Sequence, residues 1–296
     1  MSRTGMMRWL SRFDVVWDTR SGDSFADIYG AQRHQTMSLI HEFAVQAGTP
    51  VVIAPQTIGP FQSRAARILA RRNLRRSSLV FARDDASSEE AARLGRPVDL
   101  TTTDMVFGLR PPQAAVAHDV LLNVSGLLWN PNRHVDHQKY RRSIHALIAE
   151  LTLRHREITL LPHVLDSPDP DNDVPVAQAL RQEYGDAIGL HVPTDLADAR
   201  GVIASSNVVI GARMHACLNA LSTATPAIAM SYSRKFRPLL SALGWEHVIS
   251  LSEGSDPAGA VLDALEDVDL IDRAARAQKE GQRRLSEMLP LISGLA

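Results

Sequence analysis

An α/β fold built on parallel sheets follows from three observations. Short apolar runs alternate with segments of helical period along most of the 296 residues. Polar and glycine residues gather where an apolar run ends and the next helical segment begins, the pattern of an open α/β sheet with its ligands at the strand ends. A break at 109–118 (LRPPQAAVAH), with two prolines followed by small residues, separates two such series.

In the first half, 14–18 reads as a short strand and 19–29 as a polar, glycine-containing loop, followed by a helical segment at 30–47. Residues 50–54 form an apolar strand, 55–61 (PQTIGPF) a loop, and 64–76 a helix with six arginines and no acid. A strand at 79–82 ends in Arg83 and Asp84. Ser87 and Ser88 then precede EEAARLG, a helix with a serine cap, early acids and a closing glycine. Val98–Leu100 is one more strand, running into TTTD at 101–104.

Beyond the break the series restarts with a strand at 120–124, a loop at 125–136 and a helix at 137–154. The strand at 158–161 leads into Pro162, His163 and an acidic loop, 166–173. A helix at 176–184, a strand near 188–192 and a helix at 195–205 capped by Thr194 follow. Then comes 206–235, SNVVIGARMHACLNALSTATPAIAMSYSRK: strand, glycine turn, helix and strand in one βαβ unit. The tail is helical at 257–265 and 271–288. These series predict two Rossmann-like halves of unequal completeness, 1–110 and 119–296.

Composition narrows the function classes. A hydrophobic fraction of 45%, a charged fraction of 22% and a net charge of −1 are those of an ordinary globular protein, with no global electrostatic pull toward nucleic acid. Cys217, the single cysteine, excludes an intramolecular disulfide and a thiolate metal cluster. No run approaches the ~20 apolar residues of a membrane span. MSRTGMMRWLSRF at the start has no long apolar core or small-residue cleavage site, so a cytoplasmic location is expected.

Arg213 and His215 sit where a helix begins, and free amides there act with the helix dipole to favour an anion. Pairing of Arg213 with a nearby carboxylate, and a core role for His215, are the competing readings. Arg83 ends a strand in the other half and is open to an anion or to a salt bridge with Asp84 or Asp85. Lys235 and Tyr232, after the last strand of the βαβ unit, are placed to close on the same anion or to remain a solvated strand end. His134, Asp136 and His137 begin a helix in which an aspartate is a normal cap, so no metal is expected there. Asp169, Asp171 and Asp173 resemble a calcium loop but lack its glycine and closing glutamate. The basic face of 64–76 is expected to be solvated, with peripheral contact to an anionic leaflet or a lipid-linked pyrophosphate as its functional alternative.

PQTIGPF, FARDDAS, TTTDMVF, LLPHVLD and GARMHACLNALSTATPAIAMSYSRK, in that order, resemble the polysaccharide pyruvyl transferase family. SGDSFADIYG at 21–30 resembles a segment that one branch of the family carries before its first long helix. The resemblance, from about Asp14 to about Gly244, implies two domains of the GT-B type with the ligand in the interdomain cleft. It also implies metal- and cofactor-free transfer of pyruvate from phosphoenolpyruvate to a glycan or lipid-linked glycan, as a ketal. Carried over residue by residue, it implies catalytic roles for His215 and His163, either being the acid. Ligand-binding roles are implied for Arg213, Arg83, Lys235, Tyr232, Asp104, Gln56 and Gly211. The family's GxxNxGD-type opening turn does not precede Asp14, so the first domain is expected to lack its first strand-helix unit. Two alternatives stay open: a GT-B glycosyltransferase using a nucleotide sugar, and a catalytically silent relative that binds a partner or glycan. A carboxylate near the end of the 226–230 strand would favour the first, and 231–233 supplies none.

Overall fold

The computed structural model describes residues 2–165, 170–233 and 235–295. They form two compact units, Met1–Met105 with Gly281–Ala296, and Val106–Glu280. Each unit is built on a fully parallel sheet, the α/β class expected from the sequence.

The first unit opens with a helix not foreseen from the sequence, α1 (Arg3–Leu10), whose Leu10 packs on Ala44 and Val51. Strands β1 (Val16–Asp18), β2 (Val51–Gln56), β3 (Leu79–Ala82) and β4 (Leu100–Thr101) lie in the order β1-β2-β3-β4. Between them run α2 (Ala31–Gln46), α3 (Arg64–Arg76) and α4 (Asp85–Arg93). Strand β2 is buried along its whole length, which is why it reads as an unbroken apolar run rather than an alternating one. One face of the sheet packs Ile53 and Val80 on Ala70 and Leu74 of α3. Helix α4 starts earlier than its serines suggested: the Asp84 carboxylate accepts from the Ser87 amide at 2.8 Å and is the cap.

In the second unit β5 (His118–Asn123) is followed by α5 (Gly126–Trp129), α6 (His137–Leu153) and β6 (Ile158–Leu160). Next come α7 (Val174–Tyr184), β7 (Ile188–Leu190), α8 (Leu196–Ala204), β8 (Ser206–Gly211), α9 (Met214–Ser222) and β9 (Ala227–Ser231). The cap of α8 is Asp195, which accepts from the Asp198 amide; Thr194 instead donates to the Asp198 side chain. Helix α10 (Phe236–Ser241) and strand β10 (Val248–Ser250), both unforeseen, precede α11 (Pro257–Leu265), α12 (Leu270–Ser286) and α13 (Leu289–Ser293). The sheet order is β10-β9-β8-β5-β6-β7, so the chain builds outward in one direction from β5 and in the other from β8. The reversal falls between β5 and β8, where an open α/β sheet leaves a crevice at its strand ends.

The last sixteen residues depart from an expectation that assigned all of 119–296 to one domain. Met288, with Leu285, Ile292 and Leu295, packs on Val52 and Phe81 and so completes the first unit's second sheet face. Among the described residues no helix is long and apolar enough to cross a membrane.

Candidate active site

The two strand ends at the switch point carry Asn123 and Gly211. Asn123 is fully buried; its Oδ1 accepts from the Arg213 amide at 3.0 Å, and its Nδ2 donates to the Leu161 carbonyl at 3.1 Å and to Asp173 at 3.2 Å. One amide side chain therefore ties together the ends of β5, β6 and β8. At Gly211 a Cβ would sit 3.0 Å from the Cys217 sulfur of α9, so a larger residue fits only if that side chain gives way.

Arg213 is the cap residue of α9, and its guanidinium is 9% exposed. Its partners are carboxylates. Nη2 donates to Asp173 Oδ1 at 2.7 Å and Nε to the same oxygen at 3.2 Å. Nη1 donates to Asp171 Oδ1 at 2.7 Å, and Nη2 also meets the Asp171 carbonyl. Burial alone would lower the Arg213 pKa, but Asp173 and then Asp171 outweigh it, so the side chain is firmly cationic. Sequence reasoning named carboxylate pairing for Arg213 without finding the partner. Asp171 and Asp173 belong to the acidic loop that in sequence resembles an incomplete calcium loop, and Asp169 lies outside the described residues.

Asp173 is fully buried and satisfied from several directions. Besides Arg213 and Asn123, the amides of Gly126 (2.9 Å), His163 (3.1 Å) and Val164 (3.1 Å) all donate to it. This places His163 against the Arg213 site. Burial pushes the His163 pKa down to about 4, His215 and Arg213 push the same way, and Asp173 opposes them. His163 is therefore neutral at neutral pH, and His215, in the first turn of α9, lies within its electrostatic reach. Arg213, His163 and His215 are thus brought together. Ser125, on the loop after β5, has a fully buried Oγ with no partner among the described residues.

Tyr232 follows β9 and meets the His134 ring edge to face, with centroids 5.4 Å apart. Burial and Arg133 lower the His134 pKa while Asp171 raises it, which sets His134 electrostatically near the same aspartate. Tyr232 also lines a cavity of about 610 Å³ at the ends of β9 and β10, with Ser231, Ser233, Arg237 and Glu253. Glu253 is a carboxylate brought there from the loop after β10, a strand the sequence reading did not contain. Lys235 immediately precedes α10 and is partly buried.

In the first unit, Arg83 is 1% exposed at the end of β3. Its Nη1 donates to Asp104 at 2.8 Å and its Nε to Thr57 Oγ1 at 3.0 Å, whereas Asp84, the partner weighed from sequence, is 4.0 Å away. Gln56 donates from Nε2 to the Asp18 carbonyl at 2.6 Å. Gln56 Oε1, Arg83 Nη2 and Thr103 Oγ1 are buried and have no partner among the described residues. These three atoms belong to the carboxyl ends of β2, β3 and β4. Native proteins leave few such groups, and a ligand or ordered water is the usual reason for them.

Solved structures of the GT-B type are similar to this chain in fold. The crystal structure of Anabaena Alr3699/HepE in complex with UDP and glucose matches with a TM-score of 0.58 at 14% identity, over 99% of this chain and 80% of that one. A putative UDP-N-acetylglucosamine 2-epimerase from Listeria monocytogenes matches with a TM-score of 0.59 at 12% identity, over 98% and 78%. The UDP-GlcNAc 2-epimerase from Methanocaldococcus jannaschii gives 0.54 at 13% identity, over 98% and 82%. At these identities the likeness is one of fold. A sequence profile of the family described as polysaccharide pyruvyl transferase matches residues 15–234, which include Arg83, His163, Arg213 and His215. The chain belongs to the polysaccharide pyruvyl transferase family.

Proposed function

We propose that the protein moves the pyruvyl group of phosphoenolpyruvate onto a pair of glycan hydroxyls as a ketal, in the cytoplasm and without a cofactor. One observation carries this reading: in a member of this family, a charged guanidinium and two imidazoles share the switch point of one sheet. The methylene carbon of the donor takes a proton, and one hydroxyl oxygen bonds to the carbon bearing the phosphate. Phosphate leaves, and the second hydroxyl closes the ketal. Of the two hydroxyl protons, one ends on the new methyl group and the other on phosphate.

Arg213 meets the donor's phosphate or carboxylate with a planar fork; within the first unit Arg83, whose buried Nη2 has no partner among the described residues, is a second guanidinium open to an anion. His163, neutral at neutral pH, presents an unprotonated imidazole that takes a hydroxyl proton as a weak base. The donor's proton then comes from His215. Exposed Arg64, Arg67, Arg71 and Arg75 on α3 support a lipid-linked anionic acceptor or contact with an anionic leaflet. The test is a titration with phosphoenolpyruvate. It is expected to raise the melting temperature, by an equivalent of about 2.7 kcal/mol at a hundred times Kd, and Arg213→Lys should abolish the rise. No rise with the intact protein at millimolar donor would sink the assignment.

Glu253 supports a second reading, a glycosyltransferase acting on a nucleotide sugar. It lines the cavity beside β9 as a carboxylate suited to a sugar diol, and the Anabaena protein of similar fold was solved with UDP-glucose. A melting-temperature rise with UDP-glucose but not with phosphoenolpyruvate, cancelled by Glu253→Gln, would select it.

A further inference from the structure

Arg213 meets two carboxylates of very different standing. Asp173 is 0% exposed and is held by the backbone amides of Gly126, His163 and Val164 as well as by Asn123. It cannot leave without stranding those donors in the interior, where each unpaired group is costly. The Asp171 side chain is 44% exposed, and its one carboxylate partner given by the geometry is Arg213 Nη1, at 2.7 Å. With two carboxylates on one guanidinium, an incoming anion reaches the Arg213 donors only if one of them withdraws.

We infer that Asp171 occupies, in the unliganded protein, the seat that a ligand's carboxylate or phosphate takes on the outer edge of Arg213, while Asp173 is the positioning residue that aims the guanidinium. The inference rests on the reading that an anion binds Arg213. The exchange follows from the difference in solvation. The half-exposed Asp171 carboxylate gives up a part-buried pair and returns to water more cheaply than Asp173 could, whereas Asp173 remains to fix Nε and Nη2 and, through its amide contacts, the start of the loop bearing His163. The donor atoms left to the ligand are those of Nη1, the edge Asp171 now covers. Sequence spacing alone did not separate the two aspartates, since both lie in one acidic loop; burial does.

The two residues should therefore respond with opposite signs, which a merely structural role for both would not produce. The probes are phosphoenolpyruvate, pyruvate and inorganic phosphate, titrated by calorimetry into the full chain. Asp171→Asn is expected to lower the Kd by about two- to five-fold, the scale of one ion pair with a solvent-accessible carboxylate. Asp173→Asn is expected to raise it by roughly 10- to 100-fold, as when an outer partner that orients a ligating side chain is lost. If Asp173→Asn does not fold, as judged by circular dichroism, the Asp171→Asn arm decides alone. A gain with both phosphoenolpyruvate and pyruvate identifies a carboxylate in the seat; a gain with phosphoenolpyruvate and phosphate identifies a phosphate. Weaker or unchanged binding in Asp171→Asn, with binding intact in the unmodified protein, overturns this inference and leaves the proposed function standing. No binding of any probe to either form overturns both.

Discussion

At the scale of single residues, the chemistry turns on which charged groups are buried and by what they are held. His163 provides a direct check. Its neutral form is favoured in the folded protein, with a pKa near 4 against about 6.5 when unfolded. The unfolded chain therefore takes up a proton that the folded one refuses, and this contribution to stability is lost as pH falls from about 6.5 toward 4. Denaturant midpoints measured across that range should decline in the unmodified protein, with a shallower slope in His163→Gln. Equal slopes would show that the imidazole is not held neutral. Arg83 offers a second check. Replacing it with Met takes the buried guanidinium away from the Asp104 carboxylate, which should cost about 3–5 kcal/mol. Adding Asp104→Leu should recover much of that loss. A cost below about 1 kcal/mol for Arg83→Met would mean that the pair is not structural, and that Arg83 is held chiefly for a ligand.

At the scale of elements, the loops after β5, β6 and β8 behave as one assembly because a single carboxylate is shared among them. Gly126 shows how tightly they are stacked. A Cβ at that position would lie 2.0 Å from the Asn172 carbonyl oxygen, a backbone atom that cannot turn aside. Gly126→Ala is expected to cost about 1–3 kcal/mol and to raise hydrogen exchange in 170–176 well above that in the distant α11. Unchanged exchange at 170–176 would mean that the segment adapts freely. In the first unit the corresponding work falls to Arg20, whose guanidinium bonds Asp18 at 2.9 Å and Asn73 at 2.8 Å while lying over the Phe25 ring. It fixes the 19–29 loop between β1 and α3, a role its polar sequence did not announce.

At the scale of the whole molecule, the chain builds most of each unit from consecutive βα steps, but the first unit closes only when residues 281–296 return to it. Met288→Ala should therefore destabilise the first unit by about 2–5 kcal/mol. Hydrogen exchange should report this in β2 and β3 while β5 and β8 stay protected; uniform loss across both sheets would contradict it. The parallel sheets and most of the alternating βα order were legible because apolar period and helix-start chemistry are local properties. For the same reason Arg213, His215, His163 and Arg83 stood out: each follows an apolar run, where a sheet ends. The partners were not legible. Asp173 is 40 residues from Arg213, and Asp104 is 21 from Arg83. Glu253 reaches its cavity from a three-residue strand, too short to signal itself. The sequence by itself determined the fold class, the family and which side chains stand at the strand ends. Tertiary structure alone decided which carboxylate is sealed against each guanidinium and which stays open to exchange, because burial and long-range pairing depend on how distant segments pack, not on what lies beside them in the chain.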